Sequence, residues 1–343
     1  MSTGIATRLR GLSVWLFALG YFVCYVPYSA LTKALSSRLV SSMDAPIAGV
    51  TLLPISNLAA AVAMLATLTA LGWWKHATHS EVFGVSFPRP TRLTTLTGLA
   101  TATVVVTTTL AYTFEGVSIP FVMVLMRGGV LLLAPLIDTL AKRKVRWFSW
   151  LALALSLAGL VDALARRPSG TLPLLVILDV ALYLAGYFVR LRVMSSAAKS
   201  SDANRTKRYF VEEQMVATPA VVLVLGLLAL VGGSPTLLAI RAGFLDLWHA
   251  PVLPYVIVIG VLSQGTGLFG TLVLLDAREN TFCVPLNRAS SILAGVLAAF
   301  VIHFVWDRPA PTTYELVGAG LLVSAIFVLS LGPMFGKKAA APA

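Results

Sequence analysis

"FVMVLMRGGVLLLAPL", residues 121–136, sets an arginine inside an otherwise apolar stretch. A second stretch, "FCVPLNRASSILAGVL" at 282–297, does the same. Aligned, the two put Phe121 on Phe282, Leu125 on Leu286 and Arg127 on Arg288, and carried backwards they put Glu115 on Asp276. "GYFV" also occurs twice, at 20–23 and 186–189. Self-similarity at a fixed spacing marks a duplicated structural unit.

The segments around these stretches are apolar enough for lipid. The chain has 343 residues, of which 58% are hydrophobic and 12% charged, with a mean hydropathy of +0.87. A soluble domain carries about 25% charged residues. Ten apolar runs are readable, at 12–36, 46–72, 93–114, 118–141, 147–165, 171–194, 211–232, 253–276, 280–304 and 313–333. Most approach the roughly 20 residues that span a bilayer. They do not alternate as barrel strands do, even in the Thr101–Thr109 run, so they read as helices. The expected fold is an all-α integral membrane protein of ten transmembrane helices. The first run lacks a small-residue cleavage site and reads as a retained helix.

With the N-terminus inside, the inner loops collect sixteen basic residues and the outer loops six. The positive-inside rule then predicts both termini in the cytoplasm and accounts for the net charge of +12 without nucleic acid. The expected location is the cell (inner) membrane. Ten runs divide into halves of five, 1–166 and 167–343, within one membrane domain. Five is odd, so the halves insert in opposite directions, as two inverted five-helix repeats. That is a transporter architecture, with its site at the midplane between repeats.

Arg127 and Arg288 each lie about 13–15 Å along their helices at 1.5 Å per residue, near the middle of a ~30 Å core. Each costs about 2.5–3.5 kcal/mol to insert. A guanidinium offers a planar fork of donors to phosphate or carboxylate, so two at equivalent depth predict an anion site. The competing reading pairs them internally, with Glu115, Asp138, Asp179 or Asp276, or with backbone carbonyls. Arg190 and Arg192 either snorkel to the cytoplasmic surface or act in gating. Glu212 and Glu213, read at the start of the seventh helix, have three readings: helix capping, pairing with Arg190 or Arg192 as a gate, or substrate contact. Tyr21, Tyr25, Tyr28, Tyr183 and Tyr187 recur at spacings that share helix faces, which makes Tyr28 and Tyr187 substrate-contact candidates.

No enzyme is expected, because no nucleophile–base set or paired catalytic carboxylates appear. "GTGLFG" at 265–270 lacks the strand and βαβ context of a dinucleotide fingerprint and reads as close helix packing. "HATH" at 76–79 offers two histidines without a third ligand. No cofactor and no metal are expected. Cys24 and Cys283 read as reduced core residues. The expected partners are a small anionic substrate and the lipid bilayer, with a homodimer left open.

The two inverted halves resemble the drug/metabolite transporter superfamily over nearly the whole chain. "PLNRASSILAG" at 285–295 is similar to the A-L-N-K…A-G stretch of GDP-mannose transporters, in the nucleotide-sugar transporter branch. Leu286, Asn287, Ala294 and Gly295 match it, and Arg288 replaces its lysine. The resemblance implies that Asn287 and Arg288 contact substrate, as basic residues on this helix also do in sugar-phosphate translocators. It also implies antiport. The seventh run departs from the branch: "YFVEEQMVATP" at 209–219 carries Glu212, Glu213 and Gln214 where those transporters read the nucleobase with F-Y-N-N. Glu213 and Gln214 are therefore candidates for selecting the rest of the substrate, and GDP-mannose itself fits poorly. Lys142-Arg143-Lys144 stands where the general metabolite exporters often carry Gly-Glu.

The expected function is a secondary transporter of an anionic organic metabolite, phosphorylated or nucleotide-linked, by alternating access. The alternative is an exporter of amino acids or other small metabolites, proton-coupled through Glu115 or Asp276.

Overall fold

The computed structural model describes residues 2–41, 43–110, 119–165, 173–199, 202–311 and 313–338. Among them are eleven α-helices: α1 (Ser2–Ser36), α2 (Gly49–Ala70), α3 (Arg92–Leu110), α4 (Ile119–Leu140), α5 (Trp147–Ala165), α6 (Leu174–Val193), α7 (Ala203–Val231), α8 (Pro235–Leu245), α9 (Leu253–Leu274), α10 (Asn280–Trp306) and α11 (Thr313–Lys338). All but the 11-residue α8 have 19 residues or more. Six are long and apolar enough to cross a membrane, with windows at Val14–Ser36, Gly49–Ala70, Leu174–Ala198, Ala203–Val231, Leu253–Leu274 and Asn280–Trp306. The chain is thus helical and multi-pass in character.

Two short elements were hidden in polar linkers. A hairpin of β1 (Thr78–Val82) and β2 (Val85–Arg89) sits between α2 and α3, with Phe83 and Gly84 both at positive φ in its two-residue turn. Helix α8 follows a break at Gly232 and Gly233, and Ser234 caps it by accepting the Leu237 N–H. One expectation fails outright. The seventh helix starts at Ala203, not at 211, and Asp202 caps it by accepting the Asn204 N–H. Glu212 and Glu213 lie three turns inside, so they do not cap that helix.

The helices group crosswise. α1 packs on α9 and α10, and α2 packs on α9; α6 packs on α3 and α4, and α7 packs on α3. Each lobe therefore combines early helices of one sequence half with later helices of the other. The lobes meet where α2 touches α7 and α4 touches α10, and α5 packs on α11. Glycines set the close approaches. A Cβ on Gly20 would meet the Phe269 ring at 2.8 Å across α1 and α9, and one on Gly186 would meet the Ala100 carbonyl at 3.0 Å across α6 and α3. In "GTGLFG", Gly265 faces Cys24 and Gly270 faces Tyr21 and Asn287, so these two glycines serve helix contact.

Candidate functional site: two arginines among tyrosines

Two turns of α1 and two of α6 supply a set of tyrosines. Tyr21 and Tyr25 have ring centroids 5.4 Å apart, and Tyr25 and Tyr28 are 5.6 Å apart. On α6, Tyr183 and Tyr187 are 4.9 Å apart. The spacing of three or four residues stacks each set along one helix face. The arginines enter from α4 and α10. Arg127 Nη2 donates to Tyr25 Oη at 2.9 Å, and the Arg288 guanidinium carbon lies 4.9 Å from the Tyr187 ring centroid. Both guanidiniums have Tyr21 and Tyr183 as electrostatic neighbours. Asn287, beside Arg288, donates from Nδ2 to the Gly270 carbonyl at 3.3 Å.

Neither arginine has a carboxylate partner among the described residues. Arg288 is 7% exposed, and its buried Nε has no hydrogen-bond partner. The acids offered as internal partners are elsewhere. Asp138 accepts the backbone N–H groups of Asn280 and Thr281 at 2.8 and 2.7 Å, plus Asn280 Nδ2 and Thr281 Oγ1. Asp276 pairs with Arg278 at 3.3 Å. Asp179 has no hydrogen-bond partner on either oxygen among the described residues. Glu115 lies outside the described residues. Arg288 is buried and Arg127 part-buried; withdrawing such charges from water without a counter-ion is costly, and phenol O–H groups and aromatic faces offset that only in part. The arrangement suits an anion that both guanidiniums can hold.

A second polar layer lies toward the end of the bundle that carries the α2–α3, α4–α5, α6–α7 and α9–α10 loops. Arg190 does not snorkel. It is 6% exposed and donates to Glu213 from Nε (2.7 Å) and Nη2 (3.2 Å), and from Nη2 to Thr271 Oγ1 at 2.9 Å. Thr101 Oγ1 donates to the same carboxylate at 2.8 Å. Four helices, α3, α6, α7 and α9, meet there. Arg192 is half-buried and lies outside this cluster. Glu212 turns the other way, accepting Thr78 N–H and Oγ1, Thr91 N–H, Thr94 Oγ1 and Arg208 Nε, which ties the base of the hairpin to α7. Gln214 accepts Thr218 Oγ1 within α7. Of the sequence-derived candidates, Arg127, Asn287, Arg288, Tyr28 and Tyr187 thus lie in the tyrosine-lined layer or border it. Arg190 and Glu213 form the polar layer, while Glu212, Gln214 and Asp276 are engaged in other contacts.

Sequence reasoning missed the loop-end clamp. Arg143 donates to the carbonyls of Ala277 and Arg278 and to that of Ser195, and Arg146 forms a two-point ion pair with Glu279 at 2.8 and 3.0 Å. Burial alone would raise the Glu279 carboxyl, but hydrogen bonds from Arg146 and Ser149 outweigh it and hold the group below the usual carboxylate range. The basic "KRK" run at 142–144 was the available signal, read as topology and as a departure from the exporters' Gly-Glu rather than as a clamp.

A comparison with protein-family models gives no match, and neither does a comparison with curated proteins. A solved structure described as "Crystal structure of protein" is similar in fold, with a TM-score of 0.56 and 14% sequence identity over 96% of this chain and 99% of that one. At that identity the likeness concerns the fold alone.

Proposed function

We propose that the chain is a secondary transporter that carries an anionic organic metabolite across a membrane by alternating access. The observation that carries this reading is the pair Arg127 and Arg288: one part-buried and one buried, set among the same tyrosines and unpaired with any described carboxylate. They come from α4 and α10, which touch where the two lobes meet. A phosphorylated or nucleotide-linked metabolite matches two forked donors and a set of aromatic faces.

Ten crossings as two inverted repeats are part of the proposal, and the packing supports it. Exchanging α1 with α6, α2 with α7, α3 with α9, α4 with α10 and α5 with α11 turns the main contacts into one another: α1–α9 becomes α6–α3, α2–α9 becomes α7–α3, and α1–α10 becomes α6–α4. The glycines of the two "GYFV" copies serve equivalent crossings. With both termini cytoplasmic, the clamped loop end faces the cytoplasm. The moving bodies are then the crosswise lobes rather than the sequence halves. Opening inward parts Arg190 from Thr271, Asp138 from the start of α10, and Arg146 from Glu279.

A thermal-shift panel of nucleotide sugars, free nucleotides, sugar phosphates and zwitterionic metabolites tests the reading. Stabilisation by a phosphorylated ligand, lost in both Arg127→Ala and Arg288→Ala, is the expected outcome. Stabilisation by zwitterions alone, retained in both variants, would promote the amino-acid exporter instead.

A further inference from the structure

Five acidic residues are buried among the described residues: Asp138, Asp179, Glu212, Glu213 and Glu279. Four are held by donors. Asp138 takes Asn280 and Thr281, Glu212 takes Thr78, Thr91, Thr94 and Arg208, Glu213 takes Arg190 and Thr101, and Glu279 takes Arg146 and Ser149. Asp179 is the exception. The residue is 6% exposed, and neither Oδ1 nor Oδ2 has a partner.

A lone ionised carboxylate inside the bundle lacks water and, among the described residues, a counter-charge, which is costly. Taking up a proton removes that cost. The proton's place is set by α6. Asp179, Tyr183 and Tyr187 follow at i, i+4 and i+8 on one face, and Tyr187 lies under Arg288. At 1.5 Å per residue, Asp179 is about 6 Å along the helix from Tyr183 and about 12 Å from Tyr187. α3 and α4 make the main helix contacts of α6, while Glu213 of α7 and Thr271 of α9 bond to Arg190 and Arg288 of α10 covers Tyr187. On α3 the charged side chain is Arg92, at its loop end; on α4 they are Arg127 and the already committed Asp138. α6 itself adds Tyr183, Tyr187, Arg190 and Arg192. Gly129 packs against Leu184, which sets Arg127 within about a turn of the Tyr183 level. The carboxyl group is thus next along the helix face from the anion site.

We infer that Asp179 is a proton-binding site linked to the arginine site, so that the anion travels with a proton. An anion beside Tyr187 and Arg288 adds negative charge near Asp179 and favours its protonated form. By reciprocity, the proton favours the anion by the same factor. The proton joins a carboxylate oxygen on the loading side and leaves to water on the releasing side, with no other bond changed. The inference rests on the anion-transport reading, and the two can fail separately.

Two measurements on the full-length reconstituted protein decide it. Infrared spectra titrated with pH are compared between wild type and Asp179→Asn, an isostere of the neutral acid. In parallel, pyrophosphate binding is measured by calorimetry at pH 6 and pH 8. The expected result is a carboxylic-acid band that wild type loses on alkalinisation and Asp179→Asn never shows. With it, pyrophosphate affinity should fall about 5-fold or more between the two pH values in wild type, beyond the change seen in Asp179→Asn. Pyrophosphate's own ionisation is common to both proteins and cancels. Identical spectra overturn the proton site. A titrating band with equal pH dependence of binding overturns the linkage. A titrating band in a wild type that binds no pyrophosphate overturns the linkage too, and places the fault in the anion site rather than in Asp179.

Discussion

Arg190 and Glu213 form a two-point ion pair between α6 and α7, with side chains 7% and 0% exposed, and Thr271 of α9 bonds to the same guanidinium. A contact that joins helices of one lobe is therefore also attached to the other. Removing one member leaves the other charged and buried. Glu213→Ala should cost about 3–5 kcal/mol of stability, whereas Arg190→Met with Glu213→Met should recover most of it. Thermal unfolding of the single and double variants in detergent checks this, and simple additivity would refute the coupling.

The arginines of the proposed anion site should behave oppositely. Arg288 has no counter-ion among the described residues to strand, so Arg288→Met removes an uncompensated charge. The apo protein should melt no earlier than wild type, while a phosphorylated ligand should bind about tenfold or more weakly, equivalent to about 1.4 kcal/mol. Melting curves with and without ligand separate the two effects. A large loss of apo stability would mean that Arg288 is an internal strut.

Acid should loosen the loop-end clamp. Glu279 has a folded pKa below its unfolded value, so its contribution is complete above the unfolded value of about 4.3 and is lost as pH falls through the folded one. Below about pH 4 wild type should therefore lose more stability than Glu279→Gln, which never had that contribution. Melting temperature against pH for both proteins is the measurement, and parallel curves would contradict it.

Gly20→Ala should overpack the crossing of α1 on α9, where the new methyl would lie 2.8 Å from the Phe269 ring. A cost of about 1–3 kcal/mol is expected. Adding Phe269→Leu should relieve much of it, which a double-mutant cycle on thermal stability would reveal.

The helical framework was readable because long apolar runs bounded by charge leave few alternatives. The fifth run is read at 147–165 and α5 is Trp147–Ala165; the ninth is read from 280 and α10 starts at Asn280. The hairpin and α8 escaped because five-residue strands and an 11-residue helix in mixed linkers carry no long periodicity. Arg127 and Arg288 stood out because a charge in an apolar run is costly. The tyrosines of α1 and α6 were legible as two helix faces, but not their meeting with arginines from α4 and α10, because no local spacing encodes a contact between helices. Asp138 was noticed only as a charge. Its donors are backbone N–H groups some 142 and 143 residues away, and no local pattern encodes a cap supplied from another helix.

That cap makes a pair of calipers of α4 and α10. Asp138 pins the last turn of α4 to the first turn of α10. Arg127 and Arg288 ride on the arms, roughly 16 Å and 12 Å from the pin at 1.5 Å per residue. While the pin holds, the arms can spread only toward the far end, and a tilt of about 10° changes the gap between the guanidiniums by about 2–3 Å. The instrument measures what enters it. On the proposed anion-transport reading, an anion wide enough to touch both arginines would draw the arms together, while one that reaches a single arginine would leave them apart.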